Sequence, residues 1–454
     1  MEYRKNQLVE LAITEITDQG SGVGRLDDFV VFVPFAAVGD RLRVKMVKVN
    51  KTYAYGIIDE ILIPSPDRIP SDCPAFGRCG GCAFRHIGYK AELAAKKNWV
   101  ESHFKRLGGI DIQVSEVIPS PMVDRYRNKA VYPVGLDKDG NAVAGFFALN
   151  SHRIVPQPDC RLHPRIFGEI VGEVIQFTNE RGVPVYDEQS HTGVLRHIYL
   201  RQFKQNELML CLVINADKLP FAKAFAEMVA AKFPQVKSLL LNVNKREANA
   251  VLGERFITLA GSGVMADELS GVSMRISPGS FYQVNRAAAP LLFAAAAELA
   301  MLKQTDVVYD IYCGAGVIGL SLAHRVKEVI GVEVMASAVE NARQNAMDSG
   351  IKNAKFYQMD ASRLDELISQ GEPKPDVVIL DPPRKGCGPE LLETVASLAP
   401  ERIVYISCNS ATQARDCKLL AGLGYAVKEL RLADMFPRTA NTETVALLVR
   451  NCKL

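Results

Sequence analysis

No run of residues in this chain is long and apolar enough to suggest a membrane-spanning helix. The most apolar stretch, Ala287 to Leu302, carries Pro290 and Glu298 and falls short of the ~20 residues a span requires. The opening residues, MEYRKNQLVE, contain no apolar run of the signal-peptide kind. A marked excess of either charge is lacking too: 54 Lys and Arg stand against 51 Asp and Glu, a net charge of +3. Internal repeats and low-complexity tracts are absent. These absences exclude collagen-like and disordered chains and lead to the expectation of a soluble, cytoplasmic protein with no membrane contact and no obligate protein partner. At 454 residues the length suggests about three domains of ~150 residues. With so small a net charge, a nucleic-acid partner has to be met by positive charge gathered locally.

Ten cysteines are then many for a compartment where structural disulfides are rare. Cys211, in LMLCLVIN, reads as a buried apolar residue. Cys73, Cys79 and Cys82, in CPAFGRCGGC, are clustered, with Cys160 far downstream. Four thiolates suit either zinc or an iron–sulfur cluster. Zinc sites more often use two close pairs, whereas the grouping here is three plus one.

Residues 1 to about 63 read as short strands separated by turns, the pattern of a small β-barrel. In Arg41-Leu42-Arg43-Val44-Lys45-Met46, basic and apolar residues alternate, placing Arg41, Arg43 and Lys45 on one strand face. That face is either merely solvated or, with Lys48, Lys51, Tyr53 and Tyr55 following, an RNA-binding one. Pro64-Ser65-Pro66 marks a linker. From Arg68 to Arg106, eight Lys and Arg meet three acids, and Tyr89 to Leu107 has a helical pattern. Arg78, Arg85 and His86 beside the cysteines suggest RNA contacts by that loop. Arg125, Arg127 and Lys129 alternate again.

From Asp306, apolar strands alternate with helices: Val307–Ile311, Val329–Val334, Lys355–Met359, Val377–Leu380 and Ile403–Ile406. This rhythm predicts a doubly wound parallel sheet, closed by an antiparallel pair, Tyr425–Leu432 and Thr442–Val449. The first strand runs into Asp310-Ile311-Tyr312-Cys313-Gly314-Ala315-Gly316, whose glycines permit a tight turn and close approach of a nucleotide-type ligand. Taken alone this loop also fits NAD. Glu333, 23 residues after Asp310, can accept hydrogen bonds from ribose hydroxyls of either cofactor. Asp360 ends the third strand, placed to meet an adenine edge. The fourth strand ends Asp381-Pro382-Pro383-Arg384, a signature of methyltransferases and not of dehydrogenases.

The fifth strand ends Ser407-Cys408-Asn409. Ligands of open α/β sheets sit at the carboxyl ends of the strands, so Cys408 lies beside the crevice. Carbon 5 of uracil is a poor nucleophile. Thiolate addition at carbon 6 turns the ring into an enolate that can attack the methyl group of S-adenosylmethionine, after which a base must remove the carbon-5 proton. Such a path needs a cysteine activated from its ordinary pKa of about 8.5 and a carboxylate base. Glu443, in Asn441-Thr442-Glu443-Thr444, is the candidate base, although the residues alone fit a surface strand position equally well.

DIYCGAG, DPPRKG, YISCN, the FYQVN of residues 281–285, and MFPRT followed by TETVALL together resemble the RNA uracil-5 methyltransferase family, in its iron–sulfur branch acting on 23S rRNA. The resemblance covers nearly the whole chain. It implies an α/β fold with three parts: an OB-like TRAM β-barrel (residues 1–63), a central α+β Fe–S domain (64–275) and a Rossmann-like class I methyltransferase sheet (276–454). It further implies Gln283, Tyr312, Glu333, Asp360 and Asp381 as cofactor-binding residues, Cys408 as nucleophile, Glu443 as base, and Cys73, Cys79, Cys82 and Cys160 as ligands of a 4Fe–4S cluster. Relatives often carry His where this chain has Asn441, and Pro where it has Ser410. Competing readings are the same chemistry on tRNA, amino-group methylation of a base, which leaves Cys408 without use, and a non-catalytic ribosome-assembly factor, which leaves the whole crevice unexplained.

Overall fold

Leu42, Val44 and Met46 enter a core while Arg41, Arg43 and Lys45 turn away from it, as their alternation dictates. Their strand is one of five: β1 (Leu8–Ile16), β2 (Ser21–Leu26), β3 (Phe29–Pro34), β4 (Arg41–Val49) and β5 (Tyr53–Ile63). They close into a barrel in the order β1-β2-β3-β5-β4, around Leu11, Ile13, Val31, Val33, Leu42, Val44 and Met46. The computed structural model of the chain describes residues 3–157, 159–247 and 250–451. The tenth cysteine, Cys452, lies outside the described residues.

After the cysteine loop comes helix α1 (Tyr89–His103), prolonged by one π-helical turn, Phe104–Gly108, that stops at Gly109 with φ +67°. The widened turn lies against the last long helix, where a Cβ on Gly108 would meet the Ala414 carbonyl oxygen at 3.1 Å. Trp99, Val100 and Phe104 bury themselves with Ala414, Cys417 and Leu420, so α1 packs on the C-terminal layers. Val100, Phe104 and Leu420 each contribute on the order of 1.5–3 kcal/mol by leaving water. Strand β6 (Glu116–Ile118) likewise pairs with Arg431–Ala433 of the C-terminal sheet.

Seven strands form the central sheet: β7 (Lys129–Leu136), β8 (Ala142–Phe147), β9 (Ile154–Pro156), β10 (Leu195–Gln202), β11 (Leu208–Ile214), β12 (Val236–Val243) and β13 (Arg255–Gly261). Their order is β13-β12-β11-β10-β7-β8-β9. Phe167, Ile170 and Val174 of α2 (Arg165–Arg181) and Phe225 and Val229 of α3 (Ala222–Lys232) cover one face. β11 is buried at every position, Cys211 included. A hairpin, β14 (Met265–Leu269) and β15 (Val272–Ile276), leads into the last part of the chain.

The apolar stretch near residue 290 forms α4 (Ala289–Leu299), whose Leu292, Phe293, Ala296 and Leu299 are core residues. Among the described residues no helix is long and apolar enough to cross a membrane. The C-terminal sheet is built from β16 (Val307–Ile311), β17 (Glu328–Glu333), β18 (Ala354–Gln358), β19 (Val377–Leu380), β20 (Arg402–Ser407), β21 (Tyr425–Ala433) and β22 (Glu443–Arg450). With β6 its order is β18-β17-β16-β19-β20-β22-β21-β6. β16 to β20 pair in parallel and β22 runs antiparallel to both β20 and β21. Every strand expected from the sequence lies within one residue of these bounds. Helices α5 (Val317–Leu322), α6 (Ala336–Asp348), α7 (Asp365–Ser369), α8 (Pro389–Leu398) and α9 (Ser410–Gly422) connect them.

Candidate active site and four-cysteine site

The order reverses beside β16, which pairs with β17 on one side and β19 on the other, and at such a switch the loops leave a crevice at the carboxyl ends. Tyr312 follows β16 with φ +63°, and Gly314 and Gly316 have φ +54° and +78°. Asp310 is fully buried, and its Oδ2 accepts from the Gly319 N–H at 2.9 Å, so the carboxylate fixes the start of α5. A side chain on Gly319 would strike that oxygen. Burial, with the charges of Asp381 and Glu333, pushes the Asp310 carboxyl up to about 7. Glu333 closes the other wall: one oxygen accepts from Gly314 N at 3.2 Å and the other from Met335 N at 2.9 Å. Asp360 lies just beyond β18, where the N–H and hydroxyl of Ser362 donate to it and hold its carboxyl below the ordinary range. Asp381 sits just past β19 with its carboxyl pushed up to about 7 by burial. Gln283 is half-buried, its carbonyl held by Asn128 Nδ2 at 2.9 Å.

Cys408 is the first residue past β20. Ser407 pairs with Thr444 across the antiparallel ladder, so one step on, Cys408 comes level with Glu443, the first residue of β22. Burial pushes the Cys408 thiol up to about 11; the negative charges of Glu443 and Asp381 add to this and Arg384 opposes it. Glu443 is buried, and its carboxyl is raised well above the usual range by burial and Asp381, with Arg384 again opposing. Four groups therefore act on one another here: two acids, one thiol and one guanidinium. These surroundings disfavour the thiolate that the expected chemistry needs. Low dielectric and two neighbouring acids outweigh one exposed cation.

Arg384 was missing from the residues singled out by sequence, although its place after Asp381-Pro382-Pro383 was a usable signal. Its carbonyl accepts from Asn409 Nδ2 (3.1 Å) and Thr412 Oγ1 (3.3 Å), tying the fourth-strand loop to the loop that follows Cys408. Its Nη2 reaches Asn441 Oδ1 at 3.5 Å. Asn409 caps α9 by accepting from Ala411 N at 3.1 Å. Ser410 is buried and bonds His103 Nδ1 of α1 at 2.9 Å.

Cys73, Cys79, Cys82 and Cys160 line one cavity of about 360 Å³, together with Arg85, Arg127, Lys129 and Arg161. None of the four is in a disulfide. Burial raises the Cys79 thiol, takes Cys82 up to about 11 and Cys160 up to about 12. Among the described residues no three His, Cys, Asp or Glu side chains converge as a site for a single metal ion. Thiolates around one zinc crowd within about 4 Å of each other, since each Zn–S bond is about 2.3 Å. Thiolates that each bind a different iron of a cluster stand further apart. Four free thiols around one cavity rimmed by cations are a donor set of the kind that holds zinc or an iron–sulfur cluster.

The loop's other residues depart from expectation. Arg85 is buried, bridging Asp72 (2.8 Å) and Asp124 (2.6 Å), and His86 is buried with Nε2 3.2 Å from the Ala36 carbonyl. Neither faces outward as an RNA contact would; Arg78 alone of the three is exposed. Two carboxylates and a barrel carbonyl captured these groups, which no local spacing reveals. Arg125 (φ +58°) donates to Asp159 at 2.5 Å and to the Cys160 carbonyl at 3.0 Å, holding the fourth cysteine in place.

On the barrel, Arg41 pairs with Glu10 at 3.4 Å, and Arg43 pairs with Asp59 at 2.9 Å and with Glu60. The basic stripe of β4 is thus largely neutralised by β1 and β5. Among the described residues Lys48 and Lys51 make no ion pair, and beside them Phe32, Tyr53 and Tyr55 form a ring cluster with centroids 5.6–5.9 Å apart.

The family described as tRNA (Uracil-5-)-methyltransferase matches residues 268–451, and the TRAM domain matches residues 4–58. An RNA methyltransferase of Halalkalibacterium halodurans is 38% identical over 446 residues, spanning 98% of this chain and 97% of that protein. One from Staphylococcus aureus is 37% identical, spanning 98% of each. The crystal structure of the Pyrococcus abyssi tRNA (uracil-54, C5)-methyltransferase, in complex with S-adenosyl-L-homocysteine, superposes with a TM-score of 0.76 at 28% identity, over 97% of this chain and 100% of that one.

Proposed function

Because the chain belongs to the RNA uracil-5-methyltransferase family and carries its TRAM domain, we propose that it methylates carbon 5 of a uridine in 23S rRNA through a covalent adduct with Cys408. The observation that supports the covalent path is the level placement of Cys408 and Glu443 at the carboxyl end of β20. S-adenosylmethionine supplies an electrophilic methyl group. Glu333, Asp360 and Asp381, at the ends of three successive strands, together with Tyr312 and Gln283, would line its site. Cys408, its proton passed to solvent, adds to carbon 6 of the flipped-out uracil, and carbon 5 becomes nucleophilic and takes the methyl, with S-adenosylhomocysteine as the leaving group. Glu443 then accepts the carbon-5 proton, and the pair left on carbon 5 expels the Cys408 thiolate from carbon 6. A carboxyl raised by burial suits this role, because it is a stronger base than an exposed one.

The four cysteines would hold a 4Fe–4S cluster and so cross-link residues 73–82 to Cys160. That cysteine set supports the rRNA reading. The likeness to the Pyrococcus abyssi enzyme over the full chain favours a second reading, the same chemistry on tRNA. Either substrate goes with a cytoplasmic location. Incubating the protein with labelled S-adenosylmethionine and, separately, unmodified 23S rRNA and tRNA tests both. Methyl incorporation into tRNA alone would replace the first reading with the second, and incorporation into neither would remove the enzyme assignment.

A further inference from the structure

The turn between β21 and β22 carries the MFPRT residues and delivers the chain to Glu443. Arg438 in that turn has φ +69°, a conformation an L-residue keeps only when its surroundings hold it. Its N–H donates to Glu92 Oε1 at 2.7 Å. Its carbonyl accepts from Ala83 N at 2.8 Å and Phe84 N at 3.2 Å, the two residues directly after Cys82. Its guanidinium donates to the carbonyls of Ile87 (2.9 Å) and Phe84 (3.4 Å) and lies 6.0 Å from the centre of the Tyr89 ring. Amide, carbonyl and side chain all engage the cysteine loop or the helix that follows it.

The rest of the turn is gripped as firmly. Lys96, fully buried, reaches Glu92 and Asp434 at 2.8 Å each and the Phe436 carbonyl at 3.2 Å. From the other side Tyr126 donates to the Pro437 carbonyl at 3.0 Å, and its neighbour Arg125 is the residue that holds Cys160. Residues attached to both parts of the three-plus-one cysteine set therefore meet at this turn, five residues before Glu443. Between them Thr439 Oγ1 donates to the Phe436 carbonyl at 2.8 Å and accepts from Asn441 N at 3.4 Å, which leaves little slack.

We propose that Arg438 is a positioning residue that transmits the order of the four-cysteine loop to Glu443. The inference rests on Glu443 being the base of the proposed reaction. Arg438→Ala should keep its iron and keep the KM for RNA within twofold, while kcat falls tenfold or more and a methylated Cys408–RNA adduct accumulates. Arg438→Lys, which keeps a cationic hydrogen-bond donor at this position, should recover part of the loss, and it carries the same measurements if the alanine variant does not fold. Amide exchange over residues 434–445 should quicken in Arg438→Ala and equally in wild type stripped of iron. Wild-type kcat with unchanged exchange overturns the proposal. So does a loss of adduct formation with 5-fluorouridine RNA as large as the loss of turnover, because misplacing the base alone leaves the first addition intact. If wild type itself forms no such adduct, the covalent reading fails, and the exchange measurement decides the coupling alone: unchanged exchange overturns it.

Discussion

Cys408 and Glu443 come level on adjacent antiparallel strands, one step beyond the Ser407–Thr444 pair, although 35 residues of chain separate them. Thr444 Oγ1 fixes the step by donating to Gln413 Oε1 at 2.7 Å while lying 3.2 Å from the Ser407 carbonyl oxygen. Because side chains alternate along a strand, Ser407 and Thr444 turn to one face and Cys408 and Glu443 share the other.

Their places in the proposed reaction separate the two residues. Cys408→Ala should abolish methylation and every covalent RNA adduct. Glu443→Gln should still add and methylate, then stall, giving a methylated protein–RNA adduct on denaturing gels and turnover lower by 100-fold or more, the usual scale of general-base loss being about 10²–10⁴. A Glu443→Gln enzyme turning over at the wild-type rate would mean that another group is the base.

Ionisation of Cys408 should follow the charges around it. With its thiol at about 11, alkylation of the Cys408 peptide by iodoacetamide should rise roughly tenfold per pH unit from neutrality. Glu443→Gln removes a negative neighbour, lowers the thiol pKa and should speed alkylation at pH 9. Arg384→Gln removes the cation and should slow it. The opposite order, read by peptide mass spectrometry, would show that these charges do not control the thiol.

Protein purified without oxygen should contain about four iron and four sulfide per chain, as Cys₄ ligation of a 4Fe–4S cluster requires. Cys160→Ala should lose both. Arg125→Ala should weaken retention, since Arg125 holds the Cys160 carbonyl and Asp159. Stoichiometric zinc without sulfide would discard the cluster.

RNA affinity of the barrel should depend on Lys48, Lys51 and Tyr55 more than on the paired Arg41 and Arg43. Lys48→Glu with Lys51→Glu should lower the slope of log affinity against log salt by about two, roughly one for each phosphate that is no longer neutralised. An equal or larger effect from Arg41→Glu with Arg43→Glu would mean that RNA displaces the acids now paired with them.

Asp310 should make stability fall as pH rises. Its folded pKa, about 7, exceeds the unfolded value of 3.8, so the stability present below pH 4 is progressively lost up to pH 7. At about 1.4 kcal/mol per unit the full change is at most roughly 4 kcal/mol. Asp310→Asn, which keeps an acceptor for the Gly319 N–H, should gain melting temperature relative to wild type between pH 5 and pH 8. A constant difference would mean that Asp310 is ionised throughout.

Strand periodicity and the residues at strand ends sufficed to find the C-terminal sheet and to line up Glu333, Asp360, Asp381 and Cys408, because period and connection rules act over short spans of chain. The three-plus-one cysteines were equally legible as a set. Tertiary structure alone decided what surrounds them. The fate of Arg85, drawn inward by Asp72 and Asp124, and the pairing of Arg43 with Asp59 depend on partners brought close by folding. So does the Cys408 thiol, whose ionisation is set by burial and by charges from two other strands. Sequence determined which chemical groups the chain owns and the order in which its strands present them. Distance, dielectric and the bond between Arg438 and the cysteine loop exist only once segments hundreds of residues apart share one interior.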